Sequence, residues 1–174
     1  EIAIEIAGII GEERPATDQN AALVIFTKNK LPLLLEQMIG HMSDDIEVPP
    51  YLATLYEGLS AYAAFNFGRD LAEELSLSYA VLGLAFGNSE DEDIDQMSRE
   101  LRKALLTETG ELRYDPEDFL RHAPEKYQEQ ISAFMGAMIA AAHNCTLILL
   151  DDAATEIIAR YTEHLCPAVQ PYLL

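Results

Sequence analysis

Three short polar segments of the sequence carry residue types that can bind a ligand, and each follows an apolar run. They are Lys28 after residues 21–27, Gly87-Asn88-Ser89 after residues 79–86, and Asp151-Asp152 at the end of residues 145–151. A lysine can contact an anion, a glycine turn before a helix can hold a phosphate, and a carboxylate can contact a ribose hydroxyl or a metal ion. These segments are therefore the candidate ligand-binding positions.

The segment Gly87-Asn88-Ser89 has two interpretations. Gly87 permits a tight turn, and the free N–H groups of a following helix can hold a phosphate. In the other interpretation, Asn88 or Ser89 simply caps that helix. Four acids follow directly, at residues 90–93, and a bound phosphate would meet their like charge. The acidic run favours a capped turn, and the phosphate loop stays open as the alternative.

The other two segments are also open to two interpretations. Asp152 either caps a helix that begins at Ala153 or, with Asp151, contacts a ligand. Lys28 is one of only 11 basic residues, and it either contacts an anion or lies in a solvated loop. The four histidines show no metal-ligand spacing, and no nucleophile motif is present. We therefore predict neither a metal nor a cofactor, and we assign no catalytic residue.

Three apolar runs of strand length, at 21–27, 79–86 and 145–151, are separated by helical stretches. Apolar residues within each run are continuous rather than alternating, which is typical of strands buried in a parallel sheet. We predict an α/β fold with three layers: a mostly parallel sheet with at least these three buried strands, covered by helices on both faces. The carboxyl ends of parallel strands share one edge, so the three candidate segments are expected to meet there.

The helical stretches also carry specific expectations. Helices are predicted at 51–75, in two pieces that join near Asn66–Gly68, and at 90–106, 125–143 and 153–165. The helix at 125–143 has a face of small residues, which indicates close packing on a neighbouring element. The face comprises Ala133, Gly136, Ala137, Ala140 and Ala141. The aromatic residues between 51 and 67 indicate either a pocket or a packing surface.

Size and charge limit the classes of function. The 174 residues predict a single α/β domain, 1–174, and the start at Glu1 leads us to expect a truncated part of a longer architecture. The net charge is −19, which argues against nucleic acid or an anionic membrane as a partner. No uninterrupted apolar run reaches the roughly 20 residues of a membrane span, and the two cysteines fit a reducing compartment. We therefore expect a cytoplasmic protein.

Four segments resemble, in the same order, parts of the nicotinate-nucleotide:dimethylbenzimidazole phosphoribosyltransferase family. They are IAIEIAGIIGEERPATDQNAALVIF (2–26), FGRDLAEELSLSYAVLGLAFGNSE (67–90), AFMGAMIAAAHNCTLILLDDAATEIIA (133–159) and CPAVQPYLL (166–174). Within them, Gly87-Asn88 resembles the start of the family's nucleotide loop, and Leu150-Asp151 resembles the start of its Leu-Asp-Gly-Phe turn. The resemblance implies a protein of cobalamin biosynthesis. Its ligands would be nicotinate mononucleotide, the phosphoribose donor, or a benzimidazole-like base, the acceptor.

The sequence departs from this family where the chemistry would be. Thr27-Lys28-Asn29-Lys30 stands in place of an Asp-His-Gly turn, and Ser89 and Glu90 replace two threonines. The family's catalytic glutamate belongs to a segment that would follow Leu174. We therefore predict a phosphoribosyltransferase-like protein that is catalytically impaired as given. The alternative is a non-catalytic scaffold or partner subunit that keeps the fold for assembly, and in both cases we expect a homo-oligomer, a dimer.

Overall fold

A parallel sheet forms the centre of the fold. The computed structural model describes residues 21–28, 48–56, 58–87, 94–150 and 152–174. Within these ranges the strands are β1 (Ala21–Thr27), β2 (Pro50–Thr54), β3 (Val81–Gly87) and β4 (Leu147–Leu150). They lie in the order β2-β1-β3-β4, and every neighbouring pair is parallel. The predicted α/β class, with a parallel sheet surrounded by helices, is confirmed.

The two central strands are buried on both faces. Alternate residues enter one large core, namely Ala22, Val24 and Phe26 of β1 and Leu82, Leu84 and Phe86 of β3. Their neighbours Ile25, Val81 and Ala85 belong to the opposite face, and they are also buried. Because both faces are shielded from water, these runs are continuously apolar in the sequence.

Residues 51–54 belong to a strand, which corrects the predicted helix over 51–75. β2 pairs with β1, and its last residue, Thr54, lies opposite Thr27. The spacing of its few apolar residues fits either element, so tertiary pairing with β1 decides the conformation. Pro50 is the first residue of β2. Proline has no N–H to donate to the ladder, so it is tolerated in strands mainly at such a first position.

The described helices are α1 (Ala61–Ser76), α2 (Ile94–Leu105), α3 (Phe119–His122), α4 (Gln128–His143) and α5 (Ala153–Leu165), with short 3-10 turns at Glu125–Tyr127 and Pro167–Tyr172. The predictions at 125–143 and 153–165 are confirmed. Helix α1 runs without interruption through Asn66–Gly68, so the predicted break there is wrong. None of these described helices is long and apolar enough to cross a membrane.

Helices α1 and α4 approach each other at backbone distance through two glycines. A Cβ atom at Gly68 would collide with the carbonyl group of Ala133, and one at Gly136 would collide with the carbonyl oxygen of Phe65. This contact is the most extensive between any two described elements. The predicted close packing of the small-residue face is confirmed, and the neighbour is α1.

Candidate ligand-binding edge

The order of the strands reverses between β1 and β3. The next strand after β1 is β2, on one side, whereas the next strand after β3 is β4, on the other side. In open α/β sheets such a reversal leaves a crevice outside the carboxyl ends of the two strands, where ligands commonly bind. Thr27, the last residue of β1, lies opposite Gly87, the last residue of β3. The structure thus brings Lys28 and Gly87 together at this edge.

Gln130, in the first turn of α4, joins the two strand ends. Its Nε2 atom donates hydrogen bonds to the carbonyl oxygen of Phe26 at 3.3 Å and to that of Gly87 at 3.4 Å. The residue is only 4% exposed. A buried amide that bridges both strands fixes the start of α4 over the reversal point.

Lys28 forms an ion pair with Glu129, the neighbour of Gln130. Lys28 Nζ lies 3.1 Å from Glu129 Oε2, and the two side chains are 30% and 14% exposed. Lys28 Nζ also donates to the carbonyl oxygen of Lys126 at 3.4 Å. Glu129 Oε2 is buried and receives no hydrogen bond of good geometry from the described residues. Within the described structure, the positive charge of Lys28 therefore offsets the negative charge of this buried carboxylate.

A second ion pair extends the polar cluster to α2. Lys126 Nζ lies 3.1 Å from Glu100 Oε2, and Gln96 Nε2 donates to Glu100 Oε1 at 2.9 Å. The hydrogen bond from Gln96, followed by the interactions with Lys126, outweighs burial and lowers the pKa of Glu100 below its ordinary value of 4.5. Glu100 is therefore ionised at neutral pH. In the described part of this edge, each of the two lysines therefore pairs with a glutamate.

Asp152 begins α5 as a helix cap. Its Oδ1 atom accepts a hydrogen bond from the Thr155 N–H at 2.8 Å, and the Thr155 hydroxyl oxygen accepts one from the Asp152 N–H at 3.1 Å. This reciprocal capping box is the arrangement that the capping interpretation of Asp152 predicts. Strand β4 ends opposite Leu84 of β3, short of Gly87. Asp152 therefore follows a strand end set back from the one that Lys28 and Gly87 share, and a ligand contact by Asp152 stays a prediction.

Three of the predicted site residues, Asn88, Ser89 and Asp151, lie outside the described residues. The choice between a phosphate loop and a capped turn at 88–89 therefore stays a prediction, as does the role of the acidic run at 90–95. Among the residues that are described, no three His, Cys, Asp or Glu side chains come together in a way that could hold a metal ion.

Sequence reasoning missed the polar residues that α2, the 3-10 turn at Glu125–Tyr127 and the first turn of α4 bring to this edge. They are Glu100, Lys126, Glu129 and Gln130. One signal was present for Gln130. It precedes the small-residue face by three residues, at Ala133, so it shares a helical face that is otherwise apolar. A polar residue on a buried helical face needs a partner, and the strand-end carbonyl groups supply it.

Comparison with solved structures identifies the fold. The structure of CobT from Thermus thermophilus has 13% sequence identity and a TM-score of 0.64, with 99% of this chain and 74% of that chain covered. The structure of nicotinate-nucleotide-dimethylbenzimidazole phosphoribosyltransferase from Thermus thermophilus has 12% identity and a TM-score of 0.63, with 99% and 73% covered. The sequence matches no protein-family model and no curated protein. The chain thus has the fold of this phosphoribosyltransferase, as the resemblance of its sequence predicts.

Proposed function

We propose that this chain is a phosphoribosyltransferase-like protein of cobalamin biosynthesis that binds nicotinate mononucleotide or a benzimidazole-like base between the carboxyl ends of β1 and β3. One observation carries the proposal. The polar cluster of Lys28, Glu129 and Gln130 lies at the reversal of strand order, in a fold that 99% of the chain shares with such a transferase. Parallel α/β sheets bind ligands at this place.

We further propose that turnover is impaired in the chain as given. Transfer of phosphoribose to a benzimidazole-like base needs a group that accepts the proton lost by the base. Of the carboxylates described at this edge, Glu100 has a lowered pKa and is a poor proton acceptor. Glu129 is held against Lys28. Neither is placed as a ready general base.

Calorimetry and product analysis test the two parts separately. Titration with nicotinate mononucleotide and with dimethylbenzimidazole is expected to give saturable heat for at least one of them. Chromatography of the mixture is expected to show that nicotinate is released far more slowly than the roughly 1–1,000 turnovers per second that are ordinary for enzymes. No heat from either ligand at millimolar concentration would contradict binding. Turnover at an ordinary enzymatic rate would contradict impairment.

The second candidate function is a non-catalytic scaffold or partner subunit, and the surface around β2 and α1 favours it. Tyr56 and Tyr62 are each 77% exposed, and Leu52 and Phe67 are 38% and 39% exposed. The small-residue face of α4 is packed on α1, so among the described residues of this region these four side chains remain exposed and available for assembly.

Light scattering without ligand tests this candidate. A dimer is expected for the wild-type chain, and the double variant Tyr56→Ser/Tyr62→Ser is expected to shift it towards the monomer, since large exposed apolar side chains are typical of interfaces. Arg121→Ser, at an exposed position of α3, is a matched surface control. A wild-type monomer that turns over nicotinate mononucleotide would rule the scaffold function out.

A further inference from the structure

Lys28 is the cation that the first central strand brings to the candidate edge. Its ammonium group has three N–H donors. One donates to the carbonyl oxygen of Lys126, and another faces Glu129 at 3.1 Å. The side chain is still 30% exposed, so solvent and dissolved ions can reach it. An anion that approached Lys28 would have to compete with the carboxylate already there.

Glu129 is a strong competitor because it is mostly shielded from water. Its side chain is 14% exposed, against 30% for Lys28. Its buried Oε2 atom has no well-formed hydrogen bond among the described residues. If Lys28 turned to an incoming anion, this carboxylate would lose its compensation, which is costly for a buried charge.

The second cation of the cluster is compensated in the same way. Lys126 pairs with Glu100, which is further held by the amide of Gln96. The ionised form of Glu100 is favoured, as its lowered pKa shows. Among the described residues, each lysine of the cluster is thus paired with a glutamate, although a phosphate group is bound best by uncompensated cations and N–H donors.

We infer that Glu129 is a specificity-determining residue. Its carboxylate pairs with Lys28 in place of a ligand anion, so that the edge favours an uncharged heterocyclic base over a ligand that carries a phosphate. This inference rests on the proposed ligand site. Of the two ligands proposed there, it favours the benzimidazole-like base over nicotinate mononucleotide. Removing the charge of Glu129 converts the position into an anion site. Lys28 then carries the gained affinity.

The decisive experiment is calorimetry with inorganic phosphate. Glu129→Gln is expected to bind phosphate at least roughly tenfold more tightly than the wild type, because Lys28 loses a charge 3.1 Å away. The double variant Lys28→Gln/Glu129→Gln is expected to lose that gain. Glu125→Gln is the matched control, since Glu125 is exposed in the turn just before α4, and it is expected to change phosphate affinity by less than about twofold.

A folded Glu129→Gln that binds phosphate no better than the wild type would overturn the inference, and so would a gain that survives in the double variant. Thermal unfolding establishes whether each variant is folded. If Glu129→Gln does not fold, phosphate binding by the single variant Lys28→Gln is compared with that of the wild type instead. No measurable phosphate binding by the wild type, or binding that Lys28→Gln leaves unchanged, agrees with an occupied lysine, whereas a tenfold loss contradicts it.

The same titrations separate this inference from the proposed function. A phosphate gain in Glu129→Gln, with no binding of nicotinate mononucleotide or dimethylbenzimidazole by any variant, would remove the function and keep the role of Glu129. Tight binding of the mononucleotide by the wild type, unchanged in Glu129→Gln, would keep the function and remove the role of Glu129.

Discussion

The first turn and the middle of helix α4 make different kinds of contact. Its first turn carries Glu129 and Gln130, which meet a lysine and two strand carbonyl groups. Its middle carries Gly136, where the backbone of α1 comes so close that no side chain fits. The middle is an apolar contact fixed by shape, and the first turn is a polar contact fixed by charge and hydrogen bonds.

The two contacts are expected to differ in their contribution to stability. Close packing tolerates almost no change of volume, because the neighbouring backbone cannot move without cost. A polar cluster at the edge of the sheet contributes less to stability, since each of its interactions replaces one with water. Substitutions in the middle of α4 are therefore expected to act on folding. In its first turn, we expect the buried amide of Gln130 to affect stability as well, and the more exposed ion pair of Glu129 to affect mainly binding.

The largest expected effect comes from Gly136→Ala. The added methyl group would collide with the carbonyl oxygen of Phe65, and we expect it to lower the free energy of unfolding by about 3 kcal/mol. Urea denaturation measures the change. Gly83→Ala in β3 is the control, because its nearest contact is the flexible end of Leu23 at 3.3 Å. Equal losses in the two variants would show that the α1–α4 contact is not specially tight.

Replacement of the buried amide in the first turn is expected to have the next largest effect. Gln130→Leu removes both hydrogen bonds to the strand ends, and we expect a loss of about 2 kcal/mol in urea denaturation. Gln128→Leu is the matched control, since Gln128 makes one hydrogen bond, to the carbonyl oxygen of Ala123, in a partly buried position. A loss from Gln130→Leu no greater than that of the control would mean that Gln130 does not fix α4 to the sheet.

Asp152 lies away from α4 and tests the capping interpretation. Asp152→Ala removes the side chain that accepts from Thr155 N–H, and we expect a loss of about 1 kcal/mol in the free energy of unfolding. Asp152→Asn keeps an oxygen acceptor and is expected to lose much less. If Asp152→Asn is as unstable as Asp152→Ala while ligand binding also falls, the carboxylate has a role beyond the cap.

The smallest stability effect is expected at Glu100, and it depends on pH. Its pKa is lowered in the folded protein, so its contribution is present above the ordinary value and is lost as pH falls through the lowered value. At about pH 7, Glu100→Gln is expected to cost less than about 0.5 kcal/mol, because the pair is open to solvent. Denaturation of wild type and variant at about pH 7 and about pH 3 is expected to show this difference vanish at the lower pH. A difference that grows on acidification would contradict the assigned direction.

Much of this fold is predictable from the sequence, and the reasons are local. Continuous apolar runs predict β1 and β3, and the capping residue Asp152 predicts the start of α5. Strand β2 is not predictable in this way, because its short sequence fits a helix and only pairing with β1 decides. The same limit applies to the site. Lys28 and Gly87 follow apolar runs and are recognisable, whereas Glu129 becomes part of the site only because α4 folds back over the strand ends.

We propose that ligand binds between the carboxyl ends of β1 and β3. Amide chemical-shift mapping of the isotope-labelled chain with dimethylbenzimidazole tests it most directly. We expect the largest shifts at Lys28, Gly87 and Gln130, with much smaller shifts at Tyr56 and Tyr62. Largest shifts at those two tyrosines, or no shifts at millimolar ligand, would contradict the claim.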